Sequence, residues 1–168
     1  MKYIEAFFRR PTLSARWLAQ YATLTTRESF QTQAQDQSAK AIFHATDSES
    51  AASIIETKKI YGIDVVSSAH FHHDVSGAMN QAQRSGVLMG FLWGGEVIKV
   101  DLSNDISSHR DRRPNILMDV PISASGTKTW EMRLYPGTTG LMLHYLEFSS
   151  GHAYLLKQAI VFQVISDD

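Results

Sequence analysis

Two histidine-bearing segments carry the residue types best suited to chemistry. In the first, Ile42-Phe43-His44-Ala45-Thr46, an apolar strand ends in an imidazole and a hydroxyl. Asp47-Ser48-Glu49-Ser50 follows at once and can cap a helix, so His44 and Thr46 stand at a strand end, where small-molecule sites tend to form. A core histidine bonded to backbone satisfies the same pattern. The second segment is Ser67-Ser68-Ala69-His70-Phe71-His72-His73-Asp74. On a strand His70 and His72 share one face and Phe71 takes the other. Two histidines at that spacing can bind a metal, with His44 or His152 completing a site, although no carboxylate-histidine spacing of a known metal site accompanies them. A polar strand edge running into a helix cap fits those residues equally. A third group, His109-Arg110-Asp111-Arg112-Arg113, has the charge to grip phosphate or an acidic partner, and also the composition of a solvated loop.

The elements that position these groups read as follows. Leu13, Trp17, Leu18 and Tyr21 recur at helical spacing after Pro11. Thr25 to Ser38 is polar and Gln-rich, which suits a surface helix or linker. Ala41 to Ala45 reads as a strand, and Asp47 or Ser48 caps a helix through Lys58. Val65 to Phe71 reads as a second strand, and Asp74 or Ser76 opens a second helix that Gly86 ends. Val87–Leu92 and Glu96–Leu102 read as strands joined by a tight turn at Gly94-Gly95. Further strands are expected over 116–120, 129–135, 140–148, 154–156 and 160–165, with turns at Pro136-Gly137 and Ser149-Ser150-Gly151. Helices in the first half and strands in the second favour an α+β fold over an alternating parallel one.

Composition narrows the function classes. The chain has 168 residues, 43% hydrophobic and 20% charged, which describes a globular domain with a real core rather than a disordered chain. A net charge of -1 supplies no global field for nucleic acid or an anionic membrane. The absence of cysteine excludes disulfides, zinc-thiolate sites and cysteine nucleophiles. No apolar run approaches the ~20 residues that span a bilayer. Met1 to Arg10 does not read as a signal peptide.

In order along the chain, these segments resemble the motifs of the ADP-ribosyltransferase superfamily, in its histidine class of diphtheria-toxin and poly-ADP-ribose-polymerase type. In that family a histidine at the end of the first strand holds NAD, which matches His44. A second strand ends in an aromatic, usually tyrosine, that stacks on nicotinamide. Here His70-Phe71 precedes the Ala-containing stretch Val75 to Ala82, and phenylalanine keeps the stacking face without the hydroxyl. Tyr61 is a substitute stacker, and Ser67 and Ser68 would brace the site. The C-terminal stretch Gly151-His152-Ala153-Tyr154-Leu155-Leu156, followed by Phe162-Gln163-Val164, is similar to the family's last motif, in which a glutamate opens the strand. That glutamate binds the nicotinamide ribose and stabilises positive charge as nicotinamide leaves. This chain carries Ala153 there, and a methyl cannot perform that role. Three readings follow: an inactivating Glu→Ala change, a domain that only binds, or another carboxylate, Glu147 or Glu131, serving from a neighbouring strand.

The resemblance covers about Ala41 to Ile165. It implies an α+β fold of two packed, twisted β-sheets with flanking helices and a central NAD cleft. The domain would span 41–168, with 1–40 as an N-terminal helical segment or linker. The implied function is transfer of ADP-ribose from NAD to a protein or nucleic-acid acceptor, as a bacterial toxin or effector. Such a protein works in the cytoplasm or is secreted into that of a target cell, and can have an immunity partner. The implied NAD contacts are His44, Ala45, Thr46, Tyr61, Ser68, His70 and Phe71, with position 153 catalytic and Arg133 a candidate for the pyrophosphate. A non-catalytic nucleotide- or protein-binding module of the same fold is the alternative, and a histidine-metal hydrolase the third.

Overall fold

The structure, a computed structural model, describes residues 13–62, 69–72, 86–99, 113–124 and 127–166. Among these it is an α+β fold dominated by an antiparallel sheet.

The N-terminal residues build two short helices around a strand. Ser14 caps α1 (Ala15–Tyr21), its side chain accepting the Trp17 N–H at 3.0 Å, and the helix buries Trp17 and Leu18. β1 (Ala22–Thr25) follows. Thr26 then caps α2 (Arg27–Asp36) by accepting the Ser29 N–H at 3.1 Å. This is the expected Gln-rich helix, but it is more than a surface element. Phe30 and Ala34, one turn apart, give it a buried stripe.

β2 (Lys40–Asp47) runs straight into α3 (Ser48–Thr57). Asp47 is the cap: its carboxylate accepts the Ser50 N–H at 2.7 Å, and that bond holds its pKa below the usual aspartate range. Lys58 ends the helix in the left-handed region, at φ 56°. β3 (Lys59–Tyr61) and β4 (Ala69–His72) follow. The start of the expected second strand and the expected second helix, with Ser67, Ser68 and His73, lie outside the described residues.

Gly86 opens β5 (Gly86–Trp93), whose eight residues are all buried, as its unbroken apolar run demands. β6 (Glu96–Lys99) does not return alongside β5, so the hairpin expected at Gly94-Gly95 is not formed. The chain folds instead around the Trp93 indole, whose Nε1–H donates to the Glu96 carbonyl at 3.0 Å. A Cβ on Gly95 would lie 2.6 Å from that ring, so the glycine serves close approach to the indole rather than a two-residue turn. β7 (Ile116–Ala124) and β8 (Thr127–Leu134) form a hairpin, and β9 (Leu141–Phe148) follows. The two last expected strands are one, β10 (Ala153–Ile165), with a register shift against β9 between Leu155 and Ile160.

The hydrogen-bonded path runs β1-β10-β9-β5-β2-β4-β8-β7-β6, with β3 parallel to the end of β10. The described strands are therefore one continuous sheet rather than two separate ones. Its neighbours come from distant parts of the sequence, with β5 and β2 side by side in the interior of the path. On one face Val87, Met89, Phe91 and Trp93 pack with Trp17 and Leu18 of α1 and Ile55 of α3. On the other, Leu88 and Leu92 pack with Phe30, Ala34, Phe43, Tyr145 and Ala153 under α2. Gly90 permits this second layer: a Cβ there would stand 2.8 Å from both Phe30 and Tyr145, whose rings stack at 4.8 Å.

The exit from β8 is pinned. The buried Thr138 hydroxyl accepts the Asn115 N–H at 2.9 Å and donates to the Tyr135 carbonyl at 2.7 Å. The Val164 N–H donates to the Thr138 carbonyl at 2.9 Å, fixing this loop to β10.

Candidate functional site

His44 lies on β2 opposite Met89 of β5 and is half-buried. Ile42 belongs to the first core layer and Phe43 to the second, so alternation puts His44 and Thr46 on the Ile42 face. Ala45 takes the Phe43 face and packs beside it. Both His44 and Thr46 sit just before the capped N-terminus of α3, whose dipole favours anions.

β4 pairs with β2 on one side and β8 on the other. One row of the sheet reads Glu131, His72, Phe43, Gly90, Tyr145, Leu155. In the adjoining row Phe71 pairs with Met132, and His70 pairs with Arg133 in the row beyond. The backbone of Glu131 is thus two strands from Phe43, a separation of about 10 Å at the usual ~4.8 Å strand spacing. Ser68 lies outside the described residues, as does the basic loop up to Arg112.

Two expected positions are not brought to this place. Tyr61 is on β3, which pairs with β10, and it is exposed. Ala153 is on β10, separated from β2 by β9 and β5. It is 6% exposed, in the apolar layer with Phe30, Phe43 and Tyr145, on the face opposite His44. A carboxylate there would be roofed by α2.

Directly across from Ala153 is Glu147, and this carboxylate is already occupied. It is buried, takes both the Arg27 Nε–H at 3.0 Å and an Arg27 terminal N–H, and accepts the Tyr145 hydroxyl. The bond to Glu147 raises the Arg27 pKa. Burial, then the carboxylate bond, pushes the Tyr145 phenol up. Such a bidentate, closed pair ties α2 to β9 and leaves Glu147 ill suited to meet a substrate.

Sequence reasoning missed this triad, and it also missed Lys40–Asp119. Lys40 Nζ of β2 lies 3.5 Å from Asp119 Oδ2 of β7, across the intervening β4 and β8. Lys40 is also offset along its strand from the row in which Asp119 stands, so a flat sheet would hold the two apart. The sheet therefore curls here, bringing the strands of His44 and Asp119 toward each other. Among the described residues, no group of three or more His, Asp or Glu residues is arranged to hold a metal ion. His152 is in the turn before β10, its Nδ1 3.0 Å from the Ser150 hydroxyl. None of the described helices is long and apolar enough to cross a membrane.

Compared with known proteins, the chain matches no family model and no curated sequence.

Proposed function

We propose that this protein is an NAD-dependent ADP-ribosyltransferase, acting on a macromolecular target as a bacterial toxin or effector. Its NAD cleft would lie in the curl of the sheet, on the face of β2 that carries His44; Glu131 stands in the Phe43 row and position 153 in the Ala45 row, so neither offers a carboxylate to that face. The observation that carries this is the strand pairing: β4, bearing Phe71, lies beside β2 in a register that sets Phe71 opposite His44. Two of the three family motifs then meet on adjacent strands, while the third lies on β10, separated from β2 by β9 and β5.

His44 would hold a ribose hydroxyl by hydrogen bond, and Thr46 would support it at the positive end of α3. Phe71 would stack on nicotinamide. The bond between the nicotinamide nitrogen and the ribose anomeric carbon breaks, its electron pair leaving with nicotinamide. A nucleophile of the acceptor forms the new bond to that carbon and loses its proton.

The alternative is a module of the same fold that binds nucleotide without transfer. It draws on Ala153 and on the closure of Glu147 by Arg27. Nicotinamide release and calorimetric NAD titration separate the two. His44→Ala should abolish binding. NAD binding without turnover by the unaltered protein would favour the binding module, and no NAD binding would sink both.

A further inference from the structure

We propose a second ligand site, for a small aromatic anion, in the cleft where α1 and α3 meet the shifted stretch of β10. The cleft has a volume of about 680 Å³, within the usual ~300–1,000 Å³ of small-molecule sites. Its described lining residues include none of β2, β4 or β8, so it is separate from the proposed NAD cleft.

Its shape comes from the register shift. Leu155 pairs with Tyr145 and Ile160 with Leu143, so β10 spends several residues where β9 spends one, His144. The residues between, Leu156 to Ala159, line the cleft floor. Trp17 and Tyr21 of α1 form one wall, their rings 5.3 Å apart and tilted by 40°. Ile55 of α3 and Leu156 add apolar surface. Aromatic walls of this kind can pack against the face or edge of a flat, apolar ring.

The charge at the rim selects the sign of the ligand. Lys58 and Lys157, both exposed, come from α3's end and from β10, and among the described residues no Asp or Glu lines the cleft. Lys58 is held in the left-handed conformation that ends α3, so its position at the mouth is set by the fold. An apolar cleft with an aromatic wall and two cations among its lining residues fits one fused ring carrying a carboxylate or sulfonate.

The probe is 2-naphthoate, titrated into the full chain by calorimetry and followed by amide chemical shifts. Saturable binding is expected, with shifts confined to residues 17–21, 55–58 and 156–161. The Lys58→Glu/Lys157→Glu double variant alters only exposed side chains, so it should fold normally while weakening 2-naphthoate by about tenfold. His44→Ala should leave that affinity unchanged, which separates this site from the NAD cleft whether or not NAD binds. No saturable binding, shifts centred elsewhere, or equal affinity in the double variant would each overturn the proposal. So would equal binding of uncharged 2-methylnaphthalene.

Discussion

At the scale of single residues, Ala153 and Glu147 stand opposite each other on β10 and β9, and Glu147 already has the Arg27 guanidinium and the Tyr145 hydroxyl as partners. Ala153→Glu would place a second carboxylate beside it in an apolar layer. We expect a loss of about 3 kcal/mol or more in urea unfolding and no gain in NAD turnover. A faster enzyme would return the catalytic role to position 153. Arg27→Met keeps the side-chain volume but leaves Glu147 without its counter-charge. A loss of about 1–3 kcal/mol is expected, below the fully buried case because Arg27 is 42% exposed. Neither partner announces the other in the sequence, since 120 residues separate them. The histidine and the carboxylates were legible as types. Which carboxylate stands nearest β2 depends on strand order, which local spacing does not encode.

At the scale of elements, local signals were read well where the physics is local. Asp47 capping α3 is one case, and the continuous apolar run of β5 is another. Gly94-Gly95 was misread because a glycine pair permits both a hairpin and a close pass over an indole, and only the Trp93 ring decides. The seam between α2 and β5 depends on Gly90. Gly90→Ala should cost about 1–3 kcal/mol through overpacking against Phe30 and Tyr145. Phe30→Ala should cost about 3–5 kcal/mol by opening a cavity, again by urea midpoint. His144, the extra residue in β9, lies with Nδ1 3.4 Å from Gln33 Nε2 of α2, and burial lowers its pKa. A group lowered on folding contributes stability that is present above its unfolded value and lost as pH falls through the folded one. The melting temperature should therefore fall from about pH 7.5 to about pH 5.5, and fall less in His144→Gln. An identical pH response in both proteins would remove this role.

At the scale of the molecule, the curl that joins Lys40 to Asp119 and the ordering of β2, β4 and β8 were beyond the sequence, because both arise from pairings between distant strands. So did the role of the first forty residues. β1 pairs with β10 in register from Ala22–Leu156 to Thr25–Ala153, and α2 roofs the layer beneath it. Removing residues 1–40 would bare the β10 edge and the Phe43–Tyr145 layer. Loss of cooperative thermal unfolding is expected, and a truncated chain with an unchanged melting profile would argue against it. The same pairing sets an order in time. On a ribosome β1 emerges long before its only described strand partner, β10. The sheet's edge cannot close until β10 has emerged, so this edge forms late in the domain's synthesis. Until then β1 is an unpaired strand with an exposed Leu24, open to capture by another nascent copy or by a chaperone.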